Sequence, residues 1–553
     1  MEFNIRRDGQ WENAPVRIRR NGAWELISED DGDPPDLEGD FLDDGELGYN
    51  MYYLGGPPER TGDTLYVPDN YSTIQEAVDA VSNDETILIA PGTYREDIDL
   101  NDVDANHWSM IGAGSYPEDV EIRRDSRSVM NAASMPDFGA ETQLRRTIEE
   151  TEVEELGYVP VESSSGFEAG MDIRIHNREQ MMWDMWYSDP DTTGITEWHT
   201  IDSVDDDNDR LYVEEDIGIV HLWTDDLDNT EVSEVHWNLN DVHFANFRMS
   251  GDRGHSGYDR GDNMIARPKG WKNIWWTDVD FVQGGDSGIQ AEQNWYWRMD
   301  NCYAADAEDG SRGYGFNMAS VQVFYGRNLV AEDLNAYGLK SGGGPKDYAG
   351  SWKNRWDDCE VYRVNNYATD CHEGVRHTEF HRIYAEDTNG LGRISSPQQC
   401  YYDCHGRNFD SRPFRVTKPV FGCKFWDIYC DGSARGSTMH FVRFETDDNE
   451  KPSRDFDVRR WTNNYDSNFS DDSDVGSITF VVSGDRDINF EGDFIAEDWA
   501  WPVSNVVDKF EDIDHLCSYA GGDGCENIEE GGLDYRTTDW EPPEEPPDWS
   551  PGA

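Results

Sequence analysis

Lysine is what this chain most lacks: it supplies nine of the 46 basic residues, and none precedes Lys269. Against 115 acidic residues the formal net charge is −69. Carboxylates at that density repel one another wherever screening is weak. There is no broad basic surface, which argues against a nucleic-acid partner held through its phosphates. Long apolar runs are missing as well. The longest fall far short of the roughly 20 residues of a membrane span, so no membrane insertion is expected. Residues 1–9 contain no apolar h-region, and Arg6-Arg7 without a following apolar segment is no twin-arginine signal. A chain made without a leader is therefore expected. A disordered composition is excluded by what is abundant, since 12% of residues are aromatic and 21 are tryptophan. Nine cysteines are an odd number, and no C-x-x-C pair occurs. Seven lie between Cys302 and Cys430, mostly at strand positions where a thiol acts as a small buried hydrophobe. Cys517 and Cys525 flank a Gly-rich loop and are candidates for a disulfide.

The most structured signal is residues 65–94, LYVPDNYSTIQEAVDAVSNDETILIAPGTY. Ser72 as N-cap with Gln75 three residues on makes a capping box. Ile74, Ala77, Val78 and Val81 then form one apolar face of a ten-residue helix. Thr86 to Ala90 follows as a short buried strand, closed by the turn Pro91-Gly92. This combination resembles the opening of the right-handed parallel β-helix superfamily, the pectin-lyase-like proteins. The resemblance implies an all-β solenoid whose open end is plugged by the short helix, because an uncapped end exposes unpaired backbone and core.

The acid-rich, lysine-poor balance resembles proteins of extreme halophiles, where molar salt screens the charge. Residues 5–12, IRRDGQWE, recur at 18–25 as IRRNGAWE. Asp8-Gly9 and Asn21-Gly22 are hairpin turn signals, so residues 1–27 are expected to form a β-hairpin repeat. Its Arg6, Arg7, Trp11, Arg19, Arg20 and Trp24 make the one locally basic piece of the chain, suited to docking on an acidic partner. Residues 28–63 read as an acidic Pro/Gly-rich linker, 64–501 as the β-helix, and 502–553 as a poorly packed Gly/Pro-rich tail. Residues 160–215 interrupt the rhythm and resemble the small β-rich insertion of some tailspike-like and lyase-like β-helices. The run Met181–Tyr187 is expected to be that insertion's private core.

Aligning the later strand motifs puts Val279, Cys302, Leu329, Cys359, Ile383, Gly406 and Ile428 in one inward column. The preceding residues, Asp278, Asn301, Asn328, Asp358, Arg382, His405 and Asp427, then form an outward polar column. Pectate-lyase-like enzymes hold calcium with acidic residues and use an arginine as base on such a wall. By residue type, Asp358, Arg382 and Asp427 are the nearest equivalents, with Ca2+ or another cation as the ligand implied. Asp357-Asp358 and Cys404-His405-Gly406 resemble pieces of the polygalacturonase family, but its other motifs are absent; Arg382-Ile383-Tyr384 matches one of them only in part. His372, His377 and His381 are a weaker metal candidate, since strand alternation puts 372 on another face from the other two. Trp271, Trp275, Trp276, Trp295 and Trp297 cluster on two neighbouring coils, and alternation is expected to turn some outward as platforms for sugar rings.

Together these features resemble a tailspike or fibre-like protein of a virus of halophilic archaea. That resemblance implies a homotrimer on the virion surface, docked to other virion proteins by its N-terminus and meeting host glycan or glycosylated S-layer with its shaft. A polysaccharide lyase or hydrolase on the same scaffold, and a purely structural capsid decoration, are the alternatives.

Overall fold

In the computed structural model, the capping helix forms one residue later than the sequence predicts and is half as long, spanning Ile74–Val78. Thr73 rather than Ser72 is the N-cap, its Oγ1 accepting the Glu76 backbone N–H at 3.1 Å. Glu76 in turn accepts the backbone N–H of Ser72, the residue before the cap, at 2.9 Å. Glu96, from the following coil, takes the N–H groups of Ile74 and Gln75, both at 3.0 Å. With these orphan donors satisfied, Ile74, Ala77 and Val78 are buried on the solenoid end. The described residues run from 56 to 432 apart from 144–157, 178–194, 214–229, 252–263, 343–350 and shorter gaps. Beyond that range they comprise strands within 3–26, 442–500 and 533–536, with residues 547 and 549.

The solenoid is the fold expected from the sequence, and in it Thr64–Val67 pairs in parallel with Thr86–Ile89. Each coil contributes strands to three faces, here A, B and C in chain order. The core between them is apolar throughout, from Val67 to Cys430. Phe244, Trp271, Trp276 and Trp297 stack inside it, the Phe244–Trp276 centroids lying 4.3 Å apart. Seven cysteines between Cys302 and Cys430 are free thiols, six of them buried, in line with their expected role.

Left-handed backbone corners set the rhythm. Between faces A and B, Asp278, Asn301, Asn328, Asp358, Arg382, Asp403 and Asp427 all have φ between 50° and 58°. Between B and C, Gln283, Asp306, Asp333, Arg363, Asp387 and Asn408 have φ between 52° and 62°. Asn and Asp tolerate this region best among residues with a Cβ. The first column is the sequence-predicted polar column with one correction. Register pairs His381 with Tyr402 and Tyr402 with Trp426, so Asp403 occupies the corner, and Cys404 rather than Gly406 takes the inward place directly after it. His405 belongs instead to face B, between Tyr384 and Tyr429.

The insertion is wider than 160–215. Six antiparallel strands between Asp137 and His236 form it, around their own core of Val159, Ile173, Ile175, Ile201 and Val232. The solenoid is continuous beneath it, because Val120–Arg124 pairs with Gly92–Arg95 on one side and with Arg248-Met249-Ser250-Gly251 on the other. Residues 181–187 lie outside the described residues.

At the N-terminus the two hairpins are present as backbone: Arg7 pairs with Gln10 and Arg20 with Ala23, leaving two-residue loops. Both repeats share one register, with Arg6 opposite Trp11 and Arg19 opposite Trp24. The side chains of these six docking candidates lie outside the described residues. At the other end the tail reading needs correction. Leu533–Arg536 pairs in parallel with residues 494–497. Trp549 packs against the face-B cluster of Tyr303, Val330, Tyr362 and Tyr384. Twelve residues separate Arg536 from Trp549, enough chain to reach back over several coils at about 4.8 Å per coil.

Candidate functional site

Asp358 and Arg382 occupy consecutive corners, and the guanidinium binds both carboxylate oxygens. Arg382 Nε donates to Asp358 Oδ1 at 2.6 Å, and a terminal nitrogen donates to Oδ2 at 3.0 Å. That hydrogen bonding holds Arg382 protonated, its pKa displaced further upward from an already high value. To act as a base it would first have to release both bonds to Asp358 and lose that proton. The same pairing recurs at the other corner, where Arg363 Nε donates to Asp333 Oδ1 at 2.7 Å. Both are arginines held in the left-handed region and tied to the aspartate one coil earlier. The recurrence marks a corner device of the solenoid. Asp427 stands two coils beyond Arg382 in the same column and does not join Asp358. Asp357 and Asp358 diverge, one onto face A and the other at the corner.

The histidine candidates also separate. His372 is on face C with Asp370, His377 is at the corner between faces C and A with φ 44°, and His381 is on face A with Glu379. Among the described residues no group of three His, Cys, Asp or Glu side chains could hold a metal ion.

The tryptophans divide between the core and the outer wall. Trp271, Trp276 and Trp297 are core residues, while Trp275 and Trp295 are 6% and 1% exposed. Left-handed residues at Asn273, Gln293 and Tyr296 re-phase these strands, so simple alternation fails. Trp295 does leave the core, but the insertion covers it with Trp198 and Trp237, and Lys272 sits over its ring at 4.3 Å. Lys272 also binds both oxygens of Asp172 at 2.8 Å, and Gln322 Oε1 accepts the Trp198 backbone N–H at 3.1 Å. The insertion is thereby fixed to the corner that leads into face A.

Face A carries the constellation that sequence reasoning missed. In each coil the residues one and three positions before the A/B corner point outward. Register aligns them as Arg298, Tyr325, Arg355, Glu379, Cys400 and Lys424 in one column, and Asp300, Arg327, Asp357, His381, Tyr402 and Trp426 in the next. Arg298 Nε donates to Asp300 at 2.6 Å. Arg355 Nε donates to both Asp357 oxygens at 3.0 and 3.2 Å, and its neighbouring nitrogen lies 3.9 Å from Glu379. Glu379 is 2.6 Å from His381 Nε2.

Two carboxyls thus share one guanidinium out of water, with Asp357 1% and Glu379 5% exposed. Burial raises the pKa of both, and Arg355 offsets only part of that. Burial, with Arg355 and Arg382 nearby, depresses His381 well below the usual imidazole range. The directions of both shifts favour a neutral acid beside a neutral imidazole, a pair that could give up one proton and leave a carboxylate, or take one up on the imidazole. Past it the strip turns aromatic and half-buried. His381 lies 4.7 Å from the Tyr402 ring, Tyr402 meets Trp426 edge-on at 5.4 Å, and Lys424 sits 5.3 Å over Trp426. Charged hydrogen-bonding groups at one end and ring faces at the other are what a saccharide chain needs.

Asp278, at the head of the corner column, has its pKa pushed up to about 7, chiefly by burial. A carboxyl whose folded pKa exceeds its unfolded value loses stabilisation as pH rises between the two. Asp278→Asn is expected to match the wild type near pH 4, then to become progressively more stable up to pH 7, with a constant gap above. Unfolding midpoints across that range check this.

No protein-family model matches the chain, and no curated protein matches it. Solved structures do. The tailspike protein gp49 of Pseudomonas phage LKA1 aligns with 77% of this chain and 73% of its own, at 12% identity and TM-score 0.50. The tailspike gp61 of Pseudomonas phage phi297 aligns over 77% and 72% at 9% identity and TM-score 0.42. The Gp54 tailspike of Acinetobacter baumannii bacteriophage AP22, solved with a capsular saccharide, aligns over 75% and 72% at 9% identity and TM-score 0.41. At these identities the first likeness establishes a shared β-helix fold.

Proposed function

We propose that this chain is a tailspike- or fibre-like virion surface protein of a virus infecting halophilic archaea, and that face A binds host glycan or glycosylated S-layer. The observation that carries the glycan reading is the continuous strip from Arg298 to Trp426, built of paired charges and half-buried rings on six successive coils. A surface that only had to stay in solution would not bury Asp357 and Glu379 around one arginine. The likeness in fold to a phage tailspike supports the virion setting, and the charge of −69 supports the halophilic one. A homotrimer would multiply weak sites into avidity. Residues 1–27, with Arg6, Arg7, Trp11, Arg19, Arg20 and Trp24, would dock on other virion proteins. Deleting them is expected to abolish incorporation into particles while leaving the shaft folded.

A second reading, glycoside hydrolysis, is favoured over a lyase by one observation: Glu379 lies 2.6 Å from His381 Nε2, with burial raising its pKa, whereas two nitrogens of Arg382 are engaged by Asp358. Purified protein incubated in molar salt with haloarchaeal envelopes separates the readings. Bound protein without released reducing ends or unsaturated uronate supports adhesion. Reducing ends that vanish in Glu379→Gln support hydrolysis. Failure to bind any envelope sinks both.

A further inference from the structure

We propose that Trp549 is the anchor of a salt-controlled latch, seated on face B in molar salt and released by charge repulsion when salt is low. Face B presents two outward columns, because the residues that alternate with them, among them Cys302, Ala304, Cys359 and Val361, belong to the core. Register makes the first column Tyr303, Val330, Glu360 and Tyr384, and the second Ala305, Glu332, Tyr362 and Glu386. Each tyrosine hydroxyl donates to a glutamate: Tyr303 to Glu332, Tyr362 to Glu360 at 2.5 Å, and Tyr384 to Glu386 at 3.0 Å. With their polar ends tied down, the three rings and Val330 make an apolar patch, and Trp549 packs on it. These four residues are between 1% and 7% exposed although they point away from the core.

Charge opposes this contact. Glu332, Glu360 and Glu386 stand on the face, and Asp306, Asp333 and Asp387 line its B/C corner. Against these six, Arg363 binds Glu332 and Asp333, each at 2.7 Å, and Arg407 lies 4.0 Å from Glu386. At the other corner Asp358 and Arg382 cancel. The segment that carries Trp549 brings Asp539, Glu541, Glu544, Glu545 and Asp548, with no basic residue after Arg536. Burial of the indole is an apolar effect that screening does not weaken. Repulsion between the two acidic surfaces is screened within about 3 Å at 1 M salt, but reaches about 10 Å at 0.1 M. The chain is long enough for the contact to be its own. Register through Tyr402, Trp426, Arg459 and Glu497 puts Arg536 five coils past His381, whose coil also carries Tyr384. That is about 24 Å along the axis, and twelve residues that include Pro542, Pro543, Pro546 and Pro547, extended at about 3.1 Å each, span roughly 37 Å. Opening the latch bares the tyrosine patch and leaves face A, across the A/B corner, as it was. The latch therefore stands independently of the glycan reading.

The test uses the full-length protein labelled with a fluorinated tryptophan and observed by fluorine NMR. The resonance missing from Trp549→Ala identifies Trp549. In about 2 M potassium chloride it is expected to be broad and displaced from the free-indole position, and on dilution toward about 0.1 M to narrow and move to that position. Far-UV circular dichroism on the same samples should stay unchanged through this transition. Glu544→Gln/Glu545→Gln/Asp548→Asn removes three of the repelling charges and should lower the salt concentration of opening roughly twofold or more. A narrow resonance already present in molar salt, a transition that coincides with unfolding, or a triple variant that opens at the wild-type salt concentration would each overturn the proposal. So would loss of envelope binding in Trp549→Ala, because the latch and face A would then act as one surface.

Discussion

Arg355→Met is expected to destabilise the solenoid by about 3–5 kcal/mol, the usual consequence of removing one partner from a buried charge cluster. Arg355 is the only cation that both Asp357 and Glu379 touch among the described residues. Without it, Asp357 must ionise unpaired or take up a proton, and its buried oxygens lose two hydrogen bonds. The triple variant Arg355→Met/Asp357→Asn/Glu379→Gln removes the charge with the partner and is expected to regain most of the loss, as apolar or neutral replacements of buried ion clusters often do. Glycan binding should not return with stability, because the hydrogen-bonding groups that face the ligand are gone. Denaturant unfolding in molar salt and envelope binding, measured on both variants, check the two halves separately. If Arg355→Met unfolds like the wild type, Asp357 is already protonated in the folded protein and draws no net stabilisation from the guanidinium. If the triple variant binds envelopes normally, face A is not the glycan surface.

The sequence made the solenoid legible because a parallel stack repeats its corners. A polar residue followed by a small apolar one, as in Asn301-Cys302, Asn328-Leu329 and Asp358-Cys359, marks a left-handed turn feeding an inward position. Asp403-Cys404 obeys the same pattern, so the slip to His405-Gly406 could have been avoided by following turns in place of strand motifs. The face-A strip could have been found from those corners as well. Counting back one and three residues from each gives Asp300 and Arg298, Arg327 and Tyr325, Asp357 and Arg355, and His381 and Glu379. In a chain so rich in aspartate these pairs look accidental until the register stacks them. The tryptophans misled for the opposite reason. Their exposure depends on left-handed breaks inside the strands and on a covering sheet that begins at Asp137, and neither leaves a periodic signal. The foldback of Trp549 was equally hidden, since a Pro-rich acidic tail gives no sign of which surface it meets.

The second large effect is expected from salt alone. Lowering potassium chloride from about 2 M to about 0.1 M lengthens the Debye screening distance from roughly 2–3 Å to about 10 Å, so exposed carboxylates on neighbouring coils begin to repel. The first coils are the most vulnerable. Asp63, Asp69, Glu76, Asp79 and Asp99 are all exposed there, and no lysine occurs before position 269 to balance them, while Asp97 and Glu118 rely on Arg124 and Arg248. These coils also hold the cap that protects the core end. The unfolding midpoint is therefore expected to fall by roughly 10 °C or more across this range, with sodium and potassium chloride acting alike because screening is not ion-specific. The buried Arg355–Asp357 and Arg298–Asp300 pairs are screened far less. Envelope binding should consequently persist at intermediate salt until the fold itself is lost, and the two curves, plotted against salt, should separate. A midpoint indifferent to salt would remove the halophilic host from the proposal and leave the glycan surface standing. Binding that declined in step with salt while the fold held would instead place the ligand on exposed charges, away from face A.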